Sequence, residues 1–76
     1  MNWWVKAPRQ YVRIKEIPTE SDIHGMIGDF KIINLLSGDR LFIQTKPEVK
    51  KENDLATTLL NRPIVGDVIL TEGLSC

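Results

Sequence analysis

From Tyr11 to Ile17 apolar and polar residues alternate, with Val12 and Ile14 toward one side and Arg13 and Lys15 toward the other. This two-residue period predicts a half-buried strand. Pro18 ends it, since proline has no N–H to give to a ladder. The period then changes: Ile23, Met26 and Ile27 fall at i, i+3 and i+4, one stripe of a helix. Thr19 is placed to cap that helix, and Asp22 is a shorter substitute for the glutamate of a capping box. Glu20 and Asp22 suit the positive end of the helix dipole. Gly28 is a natural stop, and Gly25 weakens the helix by ~1 kcal/mol relative to alanine.

Phe30 to Leu36 reads as a well-buried strand and Arg40 to Thr45 as its return, with Ser37-Gly38-Asp39 supplying turn chemistry between them. Residues 46–52 are polar and interrupted by Pro47, which predicts a solvated loop, or a recognition loop if it has a function. Asn53 is a good N-cap. Leu55, Ala56, Leu59 and Leu60 then form the apolar face of a second short helix, closed by Asn61-Arg62-Pro63. Ile64 to Thr71 is a last strand, in which Gly66 marks a bulge or a close backbone approach.

The order β-α-β-β-α-β predicts a small α+β domain, ferredoxin-like or an incomplete variant, with both helices on one face of a mixed four-stranded sheet. Residues 1–76 are read as one domain: a head at 1–10, a core at 11–72 and a tail at 73–76. The expected core is Val12, Ile14, Ile23, Met26, Ile27, Ile32, Ile43, Leu55, Leu59, Val68 and Leu70. On that reading Leu59→Ala costs ~2–5 kcal/mol.

A composition of 42% hydrophobic and 26% charged residues is that of a globular chain. A core this small rarely yields more than ~3–5 kcal/mol of net stability unaided. One cysteine excludes an internal disulfide, and one histidine with one cysteine is too few for a closed zinc site. Good packing or self-association remains, and a homodimer is expected, drawing on apolar surface around Trp3, Trp4 and Phe42. Cys76 reads as a terminal thiol outside any prenylation box. No apolar run suits a membrane span or a signal peptide, so the expected compartment is the cytoplasm.

Catalysis finds little support. His24 flanks the first helix's stripe, and Ser21 and Asp22 are too near it in sequence to face it on a helix. Nucleotide-binding glycine loops and acidic metal motifs are missing from the sequence. The expectation is no enzyme, no catalytic residue, no metal and no cofactor. Backbone N–H groups at Gly28 would meet the wrong end of a helix dipole for an anion, while Glu52 and Asp54 repel anions from the helix start at Asn53.

The head offers more. Formal charge is zero, but residues 1–15 hold Lys6, Arg9, Arg13 and Lys15 with no acid, and residues 16–29 hold acids with no lysine or arginine. Trp3, Trp4 and Tyr11 lie among those cations. The candidate binding set is therefore Trp3, Trp4, Lys6, Arg9, Tyr11 and Arg13. Such residues supply hot spots in protein interfaces, and they also stack bases and neutralise phosphates on single strands. The structural alternative is a tryptophan folded back over a small core. Neighbours in an extended segment point to opposite sides, so one face cannot easily bury both.

Ile23-His24-Gly25-Met26-Ile27-Gly28, then Asn53-Asp54-Leu55-Ala56-Thr57-Thr58-Leu59-Leu60, then Ile64-Val65-Gly66-Asp67-Val68-Ile69-Leu70 resemble a family of small proteins of bacteriophages and mobile elements whose function is unknown. The N-x-x-A-x-x-L helix start followed by an I-x-G-D strand carries the likeness over residues 23–72. Members often have proline after the asparagine, where this chain has Asp54. The resemblance implies a compact viral accessory protein that acts by stoichiometric binding, including the blocking of host defence.

Three readings stand in order. The first is an inhibitor of a host protein. The second is a binder that sequesters a small nucleotide-like ligand between protomers, using Arg9, Arg13, Tyr11 and a tryptophan. The third is a nucleic-acid-binding accessory factor.

Overall fold

A computed structural model describes residues 2–72. Along the chain lie β1 (Asn2–Lys6), β2 (Gln10–Ile14), α1 (Glu20–Ile27), β3 (Phe30–Asn34), β4 (Arg40–Gln44), α2 (Asp54–Leu60) and β5 (Val68–Thr71). The strands form one five-stranded sheet in the order β2-β1-β5-β4-β3. Every neighbouring pair is antiparallel.

The α+β class is as expected, but the sheet has five strands and is not mixed. The additional strand is β1, made from residues assigned to the head. It is no edge: β2 pairs with it on one side and β5 on the other. The tail at 73–76, Cys76 included, lies outside the described residues.

The helices pack on opposite faces, not on one. Ile23 and Ile27 of α1 cluster with Phe42 and Ile69. Ala56 of α2 clusters with Val5, Leu41, Ile43, Ile64 and Val68. Residues alternate across a strand, so Leu41 and Ile43 face away from Phe42, and Val68 away from Ile69. Two covered faces explain why Leu41-Phe42-Ile43 and Val68-Ile69-Leu70 are unbroken apolar runs.

The core differs from the expected set accordingly. Ile23, Ile27, Ile43 and Val68 are buried as expected, whereas Ile32 and Leu59 are 43% and 42% exposed. Val12, Ile14, Met26, Leu55 and Leu70 are half-buried. Val5, Leu41, Phe42, Ala56, Ile64 and Ile69 complete the interior. Phe42, at 5% exposure, contributes nothing to an apolar surface.

Local chemistry behaves as the residue types dictate. The Thr19 hydroxyl accepts from the Asp22 N–H at 3.1 Å, and the Asp22 carboxylate accepts from the Thr19 N–H at 3.0 Å, a complete capping box. Strand β2 stops at Ile14, short of Pro18. The β3–β4 hairpin pairs Asn34 with Arg40, closing over Leu35 to Asp39. Residues 64–67 precede β5 as a loop, and Gly66 takes φ +95°. A Cβ there would lie 2.6 Å from both Gln44 Oε1 and Pro47 Cβ, the close backbone approach that the glycine permits.

Asn53 ties the layers together. It is fully buried, and its Nδ2 donates to the Val5 carbonyl at 2.8 Å and to the Gly66 carbonyl at 3.0 Å. Its Oδ1 accepts from the Ala56 N–H at 3.2 Å, capping α2. One side chain thereby fixes β1, α2 and the loop before β5.

Candidate functional site

The β1–β2 hairpin carries all six residues of the expected binding set: Trp3, Trp4 and Lys6 on β1, Arg9 in the turn, Tyr11 and Arg13 on β2. Its register pairs Trp3 with Arg13, Trp4 with Val12, Val5 with Tyr11 and Lys6 with Gln10. Alternation then divides the set between the two faces.

On the α2 side stand Trp3, Tyr11 and Arg13. Trp3 is half-buried against the cluster around Val5 and Leu41. Tyr11, diagonal to it, meets its ring edge to face, with centroids 6.2 Å apart and an interplanar angle of 85°. Tyr11 is 51% exposed and Arg13 is exposed. β2 has no neighbour beyond it in the sheet, so this group borders an open edge.

On the α1 side stand Trp4 and Lys6. Trp4 packs against the cluster of Ile23, Ile27, Phe42 and Ile69. The Lys6 ammonium sits 4.5 Å above the Trp4 ring, a cation–π contact. The indole Nε1–H is buried without a protein hydrogen-bond partner. Arg9 belongs to neither group: its guanidinium lies 3.1 Å from the Asp54 carboxylate at the start of α2. The tip of the hairpin docks there too, because the Asp54 N–H donates to the Pro8 carbonyl at 2.9 Å and the Ala7 N–H to Asp67 Oδ1 at 3.1 Å.

The other candidates hold structural positions. His24 Nδ1 lies 3.1 Å from the Gly28 carbonyl oxygen, and its ring packs 4.4 Å from that of Phe30. Asp22 is engaged in the capping box. At the start of α2, the Asp54 and Ala56 N–H groups are taken by Pro8 and Asn53, which leaves them no anion to hold. Among the described residues no group of three or more His, Cys, Asp and Glu is arranged to hold a metal ion. No helix among them is long and apolar enough to cross a membrane.

Opposite placement of Trp3 and Trp4 was readable from strand geometry alone. Less readable was an apolar surface made by Ile33, Leu35, Leu36, Leu59 and Leu60 at the far end of the molecule. Its signal in the sequence is two leucine pairs, Leu35-Leu36 just after β3 and Leu59-Leu60 at the end of α2.

Comparisons with known protein families, with curated proteins and with solved structures give no match.

Proposed function

We propose that this chain works by stoichiometric binding of a protein partner through the Trp3–Tyr11–Arg13 face. One observation carries the reading: an edge-to-face Trp3–Tyr11 pair with Arg13 opposite Trp3, beside an open strand. Tryptophan, tyrosine and arginine are the residues on which interface energy concentrates. An unpaired strand adds backbone groups with which a partner's extended segment can pair. Lys6 is turned to the other face and Arg9 is paired with Asp54, so the cations do not form one track for a phosphate backbone. This favours a protein over a single-stranded nucleic acid or a nucleotide. The motif resemblance directs the choice of partner to a host protein, a defence effector included, whose activity the binding would block.

The test is capture from a host lysate, with mass spectrometry of the protein and small-molecule fractions. A Tyr11→Ala, Arg13→Ala variant changes exposed residues and is expected to weaken binding of the captured protein by about 2 kcal/mol or more, roughly thirtyfold. His24→Ala is expected to bind as the wild type does. Retained binding by the hairpin variant would place the contact elsewhere. Capture of nucleic acid with steep salt dependence would replace the protein reading.

A further inference from the structure

Strand β2 has no neighbour beyond it, so alternate residues along it turn their backbone N–H and C=O groups outward without a sheet partner. The two faces that flank this edge differ. On the α2 side Tyr11 and Arg13 are exposed, and Lys15, also exposed, stands just past the strand's end. Among the described residues neither Arg13 nor Lys15 forms an ion pair. On the α1 side Val12 and Ile14 are half-buried. Next to Ile14 lies an open depression lined also by Ile17, Pro18, Gly25 and Met26, with Glu16 and Asp22 on its rim.

Gly25 belongs to this depression. A Cβ there would meet no atom within 4 Å, so packing does not require the glycine, although it weakens the helix. Without a side chain at that position, α1 leaves room beside Ile14 and Met26 for an incoming apolar group.

A strand laid along β2 sends its side chains alternately to the two faces. Acidic residues on the α2 side would meet unpaired cations, whereas on the α1 side they would meet Glu16 and Asp22. Apolar residues suit the α1 side, over Ile14 and over Ile17, which is 59% exposed. Slipping the segment by one residue turns both matches into mismatches, so the same pattern sets the register.

We infer that the partner's contact segment is an extended strand, alternately acidic and apolar, that adds to β2 and continues the five-stranded sheet. The inference rests on the binding face proposed above and specifies what that face receives. Carboxylates lie beside Tyr11, Arg13 and Lys15, and an aliphatic side chain enters the depression at Gly25.

The probe is a short capped peptide in which glutamate alternates with valine, titrated into the full chain and followed by amide NMR and hydrogen exchange. Amides of β2 are expected to gain protection and those of β3 are not. A peptide with lysine in place of glutamate should bind at least about tenfold more weakly, and an Arg13→Glu, Lys15→Glu variant should reverse that preference. Gly25→Leu should raise the thermal midpoint, since leucine is the better helix former, yet weaken the peptide by roughly fivefold or more. No protection in β2, equal binding of the two peptides, or a Gly25→Leu variant that binds as the wild type does would each overturn the inference. Protection of β2 that rises with protein concentration in the absence of peptide would assign the edge to a second copy and overturn it as well. The two readings fail separately. If Tyr11→Ala, Arg13→Ala loses the captured partner while the peptide leaves β2 unchanged, the face binds a protein by other means and only the strand addition falls.

Discussion

The two sides of the sheet hold their helices by different means. On the α1 side the buried contact is mainly apolar: Ile23 and Ile27 rest on Phe42 and Ile69. That helix satisfies its start locally, through the Thr19–Asp22 box, and its end through the Gly28 N–H to the His24 carbonyl and one bond from the sheet, the Gln44 amide to the Ile27 carbonyl at 2.9 Å. On the α2 side a seven-residue helix fully buries only Ala56, with Leu55 and Leu60 half-buried. Its position comes from Asn53, whose amide reaches Val5 and Gly66 and caps the helix at once. A stripe of large side chains tolerates small shifts in packing. A buried amide bonded at both ends does not. Two short helices can thus be fixed on one small sheet, one by area and the other by direction.

The strongest way to break the comparison is Asn53→Ala. It leaves two buried carbonyls without this donor, at ~1–3 kcal/mol for each unsatisfied group, and removes a cap worth ~1 kcal/mol. The expected loss is about 3–5 kcal/mol, comparable with the whole stability of a domain this small. Asn53→Asp separates the two roles. It keeps an oxygen for the Ala56 N–H but has no donor for Val5 and Gly66, and it is expected to be nearly as damaging. If Asn53→Asp unfolds in urea at the wild-type midpoint, Asn53 is a cap and nothing more.

On the other side, Ile23→Ala probes area alone. Ile23 is 1% exposed and no polar group depends on it. The expected cost is about 3 kcal/mol, from lost transfer energy and the cavity left between α1 and Phe42. A conservative Ile23→Val should cost about 1 kcal/mol. That graded response, set against the near all-or-none response at Asn53, is what the comparison requires of urea titrations on both series.

How much of this was legible depends on how local the physics is. The capping box, the Gly28 stop, the Asn53 cap, the β3–β4 hairpin and the close approach at Gly66 all follow from a few neighbouring residues, and the chain states them directly. β1 was not legible, because Trp3-Trp4-Val5 is buried from both sides and so lacks the alternation that marks a strand. The same unbroken runs at Leu41-Phe42-Ile43 and Val68-Ile69-Leu70 were a signal for helices on both faces, which a one-sided sheet would have shown as alternation. Asn53 could be read as a cap because a cap is local. Its bond to Val5 spans 48 residues and could not be read. For the binding set, grouping along the chain suggested one patch, and only the pleat reveals two.

The smallest expected effect sharpens the comparison most closely, because it concerns the outer side of α2. The helical spacing Leu55, Ala56, Leu59, Leu60 makes Leu59 look like part of an apolar stripe, and a stripe would make Leu59→Ala costly. In the structure α2 is held from its start by Asn53, and Leu59 is 42% exposed at its far end. Truncating a side chain so placed removes little buried area, and alanine is the better helix former. The expected cost is under about 1 kcal/mol, measured as the shift in thermal midpoint. A loss of 2 kcal/mol or more (roughly the cost of truncating a buried leucine) would show that α2 is held by its stripe after all, and the contrast between the two sides of the sheet would fall with it.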